Sequence, residues 1–524
     1  MSQAHSALLP LVGPLGLVLV TLVARGGPRT RVVREALALA SSVGLLAALA
    51  SIVHLVSVGP SHSALLGMAG VGASIRLDGL SVAIFTMIAL LVTVIGRFSS
   101  TYLEGDRRHG LFLGRLALTA ASVEVLVLAN NLLLFWLAWV ATSVSLHGLL
   151  VFYRDRPRAI IAARKKLVAA RLGDLTLGFA FLLLALRSGT GEMTMLTTTL
   201  PEADATTAGA GLLLAATALL KSAQFPMHGW LVEVMETPTP VSALLHAGIL
   251  NAGPFLILRF AAVIDRAPAA MWLLIIVGGL TALFASAVLR TQPSIKVALG
   301  YSSSAHMGFM LFVCGLGVYP AAALHLVAHS FYKAHAFLSA GSTVELARAS
   351  GVVVPPRTRH GLRVLVGFVA ACSTYAGVAW LLGFTPWHHP ALLLVGAVVV
   401  LGLTQLLGKG FDTKAPARVV VATVAVGGAV ATAFFGLEEL SRIALSDSLP
   451  ELSAKPSSTL ALAGLIFSLW AAAVALQLFG FGGRTRLGRR LRIHLRHGLY
   501  ANAVFDRLVG AMKLPSKVQG TPSR

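Results

Sequence analysis

The stretch that decides the fold is GAGLLLAATALLKSAQFPMHGWL, residues 209–231. It is apolar or small up to Lys221, so the amine stands inside a hydrophobic run. An amine at membrane depth is costly, and its default interpretation is an ion pathway. Pro226 removes a helix hydrogen bond and disturbs the helix about one turn after the lysine. Helices that break at mid-membrane depth are typical of transport sites.

The composition around this stretch is that of a polytopic membrane protein. Of the 524 residues, 56% are hydrophobic and 12% are charged, whereas soluble domains are about 25% charged. Apolar runs of about 17–25 residues cross a bilayer, and the sequence predicts about fifteen of them. They begin near Leu8, Glu35, Leu80, Leu111, Leu132, Leu167, Gly209, Val241, Ala269, Val297, Ala321, Val364, Ala391, Val419 and Thr459.

The distribution of basic residues predicts the orientation of the chain in the membrane. Short cytoplasmic loops collect Lys and Arg, and here every second loop is basic. These loops hold Arg25, Arg29, Arg31 and Arg34; Arg97, Arg107 and Arg108; Arg154, Arg156, Arg158, Arg164, Lys165 and Lys166; Arg290 and Lys296; Arg348, Arg357, Arg359 and Arg363; and Lys409, Lys414 and Arg418. The alternating loops are 58–78, 130–131, 188–208 and 437–457, which are poorer in Lys and Arg and often acidic. The amino terminus is therefore predicted outside and the carboxyl terminus in the cytoplasm.

Several other classes of protein are disfavoured. The net charge of +22 lies in the basic loops and the tail, without a recognisable nucleic-acid fold, so no nucleic-acid partner is predicted. Cys314 and Cys372 fall inside predicted spans and show no spacing for a disulfide framework or a zinc site. There is no P-loop. Basic residues instead of a cleavage site follow the first apolar run, which predicts a retained first helix.

The segment 482–514 follows the last predicted span and mixes arginines with apolar residues. This composition predicts a short basic amphipathic helix on the cytoplasmic membrane face. A solvated tail and a docking surface for a cytoplasmic partner are the alternatives.

Titratable residues inside the predicted spans form a candidate proton path. His246 lies in the helix that opens after Thr237-Pro238-Thr239-Pro240, and HLVAHSFYKAHAFL (325–338) places His325, His329 and Lys333 at i, i+4 and i+8. That spacing puts the last three on one helix face. Imidazole can both accept and donate a proton, and a lysine in an apolar environment can lose its charge. No carboxylate or thiol completes a ligand set, so a metal site is not predicted.

Two acidic residues are candidate partners of these bases. Asp174 follows Arg171 by three positions, so a local ion pair competes with a functional role. Glu124 has no cationic neighbour within a helical turn, which favours a functional role. The predicted proton or cation path is therefore Lys221, His246, His325, His329 and Lys333, modulated by Glu124 and Asp174.

Four motifs resemble the antiporter-like subunits of respiratory complex I and of Mrp-type cation antiporters. They are KSAQFPMHGWL (221–231), PTPVSALLHAG (238–248), IKVALGYSSSAHMGFM (295–310) and HLVAHSFYKAHAFL (325–338). The resemblance covers roughly residues 75–345. It implies an all-α membrane fold with two inverted five-helix repeats, a discontinuous helix at Lys221 and proton transfer along a central polar axis. The domains expected are N-terminal transmembrane helices over 1–75, the antiporter-like core over 76–410, C-terminal transmembrane helices over 411–481 and the basic tail over 482–524.

By residue-wise match, the resemblance implies that Lys221 is the central lysine and His246 its neighbour on the following helix. His325, His329 and Lys333 are implied as the relay toward the second half, and Asp174 looks like the superfamily's acidic residue near the first half-channel.

The chain also departs from this pattern. Where complex I subunits read Gly-Trp-Glu, it has Ala138-Trp139-Val140, so the carboxylate that pairs with the central lysine is absent there. Glu124, one helix earlier, is a candidate substitute. The lysine of the superfamily's twelfth helix has no counterpart, because 364–386 contains no charged residue.

The finer wording of GWLVEVMETPTPVSALLHAGILNAGPFLILRF (229–260) is similar to the DabB family, the membrane subunits of DAB inorganic-carbon accumulation complexes. That resemblance implies a DabA-like cytoplasmic partner that resembles a β-carbonic anhydrase and holds the zinc, with no cofactor and no enzyme activity in this chain. A proton or sodium gradient would then drive CO2 hydration in the partner and trap bicarbonate inside. One charge moving through about 150 mV supplies about 3.5 kcal/mol, which sustains a displacement of several hundred-fold.

Two alternatives stay open. The first is a cation/proton antiporter, or a pump subunit of a complex I-like or hydrogenase-like assembly. The second is a structural membrane anchor that has lost conduction, which Val140 and the uncharged twelfth helix suggest.

Overall fold

The computed structural model describes residues 7–27, 29–153, 155–199, 204–342, 361–384, 389–410, 417–478 and 485–510. These residues are almost entirely helical. Helices α1–α8 are Val12–Arg25, Thr30–Val58, Gly79–Tyr102, His109–Leu128, Leu132–Leu150, Pro157–Ser188, Met193–Thr199 and Ala205–Lys221. Helices α9–α16 are Gly229–Glu233, Thr239–Ala247, Ala252–Arg259, Ala261–Asp265, Pro268–Leu273, Gly279–Leu289, Ile295–Gly315 and Tyr319–Leu338. Helices α17–α22 are Gly361–Leu381, Pro390–Gly410, Ala417–Ala444, Ser457–Leu478, Arg486–Arg496 and Ala501–Val509.

Short elements complete the described chain. The 3₁₀ turns are Leu9–Leu11, Val234–Glu236, Ile249–Asn251 and Gly498–Tyr500, and a π-helical turn covers Leu274–Gly278. Two antiparallel strand pairs lie between α2 and α3: β1 (Ser61–His62) with β4 (Arg76–Leu77), and β2 (Leu66–Met68) with β3 (Val71–Ala73).

The prediction of an all-α polytopic membrane protein is confirmed. Among the described residues, 12 helical stretches are long and apolar enough to cross a membrane, and Leu9–Arg25 and Ala205–Lys221 are shorter apolar helices. Every predicted span start lies in or beside a helix. The number of about fifteen spans, the two inverted repeats and the bounds of the four domains stay predictions.

The described helices pack into one large core and three small hydrophobic clusters. Close approach relies on small residues, as is usual between membrane helices; a Cβ on Gly114 of α4 would overlap the Cβ of Ala24 in α1. Helices α17, α18 and α19 enclose a separate small cluster that includes Ala371, Leu403 and Ala431. The large core is therefore where buried polar groups have to be accommodated.

The acidic loops predicted outside meet at one face of the protein, here called the acidic-loop face. The carboxylate of Glu192 accepts hydrogen bonds from the side-chain amides of Asn130 at 2.7 Å and Asn131 at 2.8 Å. Asp447 accepts a hydrogen bond from the backbone N–H of Gly79 at 2.9 Å. Loops far apart in sequence are thus joined at the same helix ends.

The basic loops meet at the other helix ends, here called the basic-loop face. Arg108 Nη1 donates to the carbonyl of Phe152 at 3.0 Å, and Gln292 Nε2 donates to the carbonyl of Arg496 at 3.1 Å. The tail therefore lies on the same face as the basic loops. That this face is cytoplasmic stays a prediction.

The assignment of Lys165 and Lys166 to a basic loop is wrong. Both lie on α6, which begins at Pro157 rather than near Leu167, and both are buried. Their amines are hydrogen-bonded inside the protein: Lys165 Nζ lies 2.6 Å from a carboxylate oxygen of Glu233, and Lys166 Nζ donates to Ser143 Oγ at 2.9 Å. A hydropathy profile places the end of a membrane span at charged residues such as these, because it takes no account of the groups that bind their amines inside the protein.

The described part of the tail is helical, with two halves that differ. Helix α21 (Arg486–Arg496) has no buried residue, which agrees with an amphipathic surface helix; its position on a membrane stays a prediction. In α22, Phe505 and Asp506 are buried. This second half packs against the protein itself.

Candidate functional site

The helix that carries Lys221 is broken, as predicted. Helix α8 ends at Lys221, and the helix resumes only at Gly229. Neighbouring side chains satisfy the freed backbone groups: Ser304 Oγ donates to the carbonyl of Ala223 at 2.8 Å, and the N–H of Phe225 donates to Thr281 Oγ1 at 3.1 Å. Such replacement of lost helix bonds lets a break persist at membrane depth.

The amine of Lys221 is buried inside the protein and does not extend to the interface. Its residue is 8% exposed, and Nζ has no hydrogen-bond partner among the described residues. Nζ lies 4.3 Å from the ring centroid of Trp139, a cation–π contact. The ring of Trp139 thus contacts the amine, whereas its neighbour Val140 stands where complex I subunits have a carboxylate.

Asp174 forms the local ion pair that its sequence position allows and also lies near two buried amines; its functional role stays a prediction. Its Oδ2 lies 2.7 Å from Arg171 Nη2, so the local ion pair is present. The same carboxylate is within electrostatic range of Lys221 and Lys166. Asp174 is therefore positioned to influence the charge on both amines.

Lys166 is a candidate functional residue that the sequence analysis missed. It donates to the carbonyl of Ser143 at 2.6 Å, and it lines, together with Lys221, a cavity of about 10 Å³. That volume holds at most about one water molecule. The available signal was its place at the very edge of the apolar run that starts at Leu167.

Glu124 is not brought to Lys221. Its carboxylate is buried, and Oε2 lies 3.3 Å from the position that a Cβ would take on Gly13 of α1. Oε2 has no hydrogen-bond partner within the described residues. The structure therefore gives no contact by which Glu124 replaces the missing carboxylate, and its functional role stays a prediction.

His246 and Lys333 occupy the buried region between α10, α15 and α16. His246 Nδ1 is 2.8 Å from Ser303 Oγ, and its ring stacks on Phe337 at 4.4 Å between centroids. Lys333 Nζ donates to Ser302 Oγ at 2.7 Å and to the carbonyl of Leu299 at 3.1 Å. The amine of Lys333 is within electrostatic range of His246.

Three histidine rings form a cluster that begins one helical turn before Lys333 on α16. His325 and His329 are predicted members, with centroids 6.2 Å apart. His306 of α15 joins them: its Nδ1 is 3.0 Å from His325 Nε2, and its ring is 5.2 Å from that of His329. One of the two bonded nitrogens must carry the hydrogen and the other accept it, so His306 and His325 share a proton-transfer contact.

His306 is the second residue that sequence reasoning left out of the path. It was placed inside a helix, but its register against α16 depends on packing between helices. Buried or partly exposed nitrogen bases on α6, α8, α10, α15 and α16 are here called the relay; they are Lys166, Lys221, His246, Lys333, His329, His325 and His306. Within the described residues, no group of three or more His, Cys, Asp or Glu is arranged to hold a metal ion.

One ionic cluster at the acidic-loop face supports the site from outside the spans. Asp78 caps α3, its carboxylate accepts a 2.6 Å hydrogen bond from Arg259 Nη1 at the end of α11, and Arg76 Nε lies 2.7 Å away. Burial alone would raise the pKa of Asp78, but the charges of Arg259 and Arg76 hold it below its usual range. The cluster fixes the start of α3 to the end of α11.

Comparison with known proteins agrees with this architecture. The family model for the transmembrane region of NADH:quinone oxidoreductase/Mrp antiporter proteins matches residues 129–386. A structure of the Mrp complex from Dietzia superposes with a TM-score of 0.63 at 24% identity, covering 96% of this chain and 61% of that chain. This likeness concerns the fold.

Similarity in sequence is closer to one branch. The probable inorganic carbon transporter subunit DabB2 of Halothiobacillus neapolitanus is 34% identical over 471 residues, 87% of this chain and 84% of the relative. The DabB subunit of Hydrogenovibrio crunogenus is 40% identical over 339 residues, 63% of this chain and 64% of the relative. NADH-quinone oxidoreductase subunit L of Escherichia coli is 34% identical over 316 residues, 59% and 51% of the two chains. The chain therefore belongs to the DabB family of inorganic carbon transporter subunits, within the superfamily of complex I and Mrp antiporter-like membrane proteins.

Proposed function

We propose that this chain is the ion-translocating membrane subunit of an energy-coupled inorganic carbon uptake complex. A zinc-containing, DabA-like cytoplasmic partner hydrates CO2, and an ion gradient acting through this chain drives the reaction in one direction. The chemistry and its zinc belong to the partner. The names of the DabB relatives support the carbon substrate, and the relay supports the ion path.

The observation that carries the ion path is the burial of Lys221 without a hydrogen-bond partner in the described structure. A lysine at membrane depth costs about 3 kcal/mol. An apolar residue at this position would avoid that cost. A group that binds and releases a proton during transport explains why the amine is there.

The composition of the relay favours protons over sodium ions. All its members are nitrogen bases, which carry or exchange protons, whereas hard cations prefer oxygen ligands. The carboxylate of Asp174 is already paired with Arg171, and the positive charge of Lys221 opposes a sodium ion beside the helix break. We therefore propose proton coupling.

The partner is expected on the basic-loop face. Helix α21 presents arginines and apolar residues at the surface there, and a cytoplasmic subunit requires a cytoplasmic face. The proposed orientation thus places the carboxyl terminus and the partner on the same side of a bacterial inner membrane.

A second function has specific support. A cation/proton antiporter, or a pump subunit of a complex I-like or hydrogenase-like assembly, would use the same relay, and the chain shares its fold with an Mrp complex subunit and 34% identity with subunit L. In that case the partners would be other membrane subunits, and carbon uptake would not depend on this chain.

The test is growth in ambient air of a carbonic-anhydrase-deficient bacterium that expresses the chain with its zinc partner. We expect rescue by the wild type and by Lys455→Ala, which removes a buried lysine paired with Asp265 at the acidic-loop face. Lys221→Ala at matched expression should fail. Rescue by Lys221→Ala would reduce the chain to an anchor, and failure of the wild type would favour the antiporter.

A further inference from the structure

A large cavity adjoins the histidine end of the relay. It has a volume of about 360 Å³ and lies where α14, α15, α16, α18 and α20 meet. The lining is largely apolar, with polar side chains from Ser286, Arg290, Ser302, His306, His325 and Gln405. A single water needs only about 10–15 Å³ by a comparable measure, so a chain of several waters can be accommodated. The space beside Lys221 is far smaller, about 10 Å³.

The relay contacts this cavity at two points. His306 and His325 line it directly and are partly exposed, whereas His329 is buried behind them. Ser302, which accepts the hydrogen bond of Lys333 at 2.7 Å, is also a lining residue. Among the relay residues, His306 and His325 are thus the two that line a cavity able to hold several waters.

The cavity also extends toward the surface. Arg290, another lining residue, is exposed and follows the last residue of α14 on the basic-loop face. His306 follows the first residue of α15 by 11 positions, a depth of about 16 Å along the helix axis. The cavity therefore extends from His306 and His325 to the basic-loop face.

No competing carrier follows the histidines on the next helix. In the described helix α17, the stretch 364–381 contains no charged residue. A proton that has reached His325 therefore finds no charged residue in 364–381 of α17, but it has a hydrogen-bonded neighbour, His306, and the cavity beyond it.

Building on the proposed function, we propose that protons pass between the relay and the basic-loop face through this cavity, and that His306 transfers them between His325 and cavity water. In the step toward the basic-loop face, protonated His325 donates its Nε2 proton to His306 Nδ1, and His306 Nε2 releases its own proton to cavity water. Rotation of the His306 ring then turns its unprotonated nitrogen back toward His325, so one proton has moved from His325 to water and no other bond has changed.

The chain offers a matched pair of variants that tests the cavity. Gly402 lines it, and a Cβ on Gly402 meets no atom within 4 Å, so Gly402→Trp places an indole in open space. Gly464 of α20 is equally free of close contacts but does not line the cavity. Gly464→Trp is therefore the control for adding a bulky side chain to a membrane helix.

The measurement is proton flux, with a pH-sensitive dye, into proteoliposomes that contain the chain with its partner. We expect Gly402→Trp and His306→Gln to lower the flux at least tenfold, and Gly464→Trp to leave it within twofold of the wild type. His306→Gln keeps a hydrogen-bonding side chain but cannot transfer protons. Loss in Lys221→Ala together with normal flux in both Gly402→Trp and His306→Gln would overturn the cavity pathway while sparing the proposed function. Normal flux in Lys221→Ala would refute the proposed function itself.

A labelling experiment tests the cavity independently of transport. Ser286→Cys, in a chain carrying Cys372→Ser, should react with a charged, membrane-impermeant thiol reagent if water fills the cavity, and Gly402→Trp should slow that reaction at least tenfold. Cys314 is fully buried and provides the unreactive background. Reaction only with an apolar, membrane-permeant maleimide would mean that lipid occupies the cavity, which would contradict the proposal.

Discussion

At the level of single residues, the proposed proton transport depends on the ability of Lys221 to lose its proton. Lys221→Arg separates this ability from charge, because arginine keeps a positive group able to stack on Trp139 but stays protonated. We expect carbon uptake to fall to background with a normal amount of protein in the membrane, measured with labelled bicarbonate and by immunoblot. Uptake near the wild-type level would show that a fixed charge is sufficient.

Asp78 sets a stability prediction with a defined pH dependence. Its pKa in the folded protein lies below the unfolded value, about 3.9, so its contribution is complete above that pH and is lost as the pH falls through the folded pKa. Asp78→Asn keeps a capping side chain but leaves Arg259 unpaired, which costs about 3 kcal/mol or more. The detergent-solubilised variant should melt at a clearly lower temperature at pH 7.

The control for Asp78 is Asp204, which also caps a helix and pairs with an arginine, Arg187, but at a more exposed position. Because exposed ion pairs contribute little to stability, Asp204→Asn should lower the melting temperature much less than Asp78→Asn does. Equal melting temperatures for the two variants would remove the role given to the buried ionic cluster.

At the level of helices, ion pairs and a hydrogen bond join the tail helix α22 to α9, which follows the break after Lys221. Lys165 of α6 forms ion pairs with Glu233 of α9 and with Asp506 of α22, and Asn502 donates to Glu233 at 2.6 Å. Removing the amine leaves the buried carboxylate of Asp506 and the partly exposed one of Glu233 without their cation, so Lys165→Met should release α22. We expect hydrogen exchange of residues 498–509 to accelerate at least tenfold. Lys296→Met, whose amine binds Thr239 Oγ1 instead, should not alter it.

The sequence could predict elements whose signal is local. Hydropathy located the helices, and the pairing of Lys221 with Pro226 predicted the break, because both effects act within one turn. The spacing of His325, His329 and Lys333 predicted a shared helix face for the same reason. Features that depend on contacts between distant segments were missed: the docking of Asp506 on Lys165, and the burial of Lys166 in α6.

The candidate site shows the same division. His306 was visible as a histidine inside a helix, but its bond to His325 depends on how α15 and α16 pack. Glu124 was a candidate partner of Lys221 because it lies one helix before Val140, where the usual carboxylate is absent, yet its carboxylate faces Gly13 of α1. Helix order does not determine which face of a helix meets which neighbour.

At the scale of the whole molecule, the two loop faces and the relay define a chain with a direction. Acidic loops join at one face, basic loops and the tail at the other, and the buried bases lie between them. The broken helix and the tail are connected through Lys165, so a partner bound to the exposed α21 on the basic-loop face would contact an element that is joined to the helix of Lys221. Binding of the partner would thereby be linked, through the tail and Lys165, to the helix that carries Lys221.

The most direct measurement is uptake of labelled inorganic carbon by cells that express the chain with its partner, with and without a protonophore. We expect wild type and Lys455→Ala to accumulate carbon until the protonophore collapses the proton gradient, and Lys221→Ala to stay at background in both conditions. Accumulation by Lys221→Ala equal to the wild type, or wild-type uptake that resists the protonophore and stops with a sodium ionophore, would contradict a proton path through Lys221.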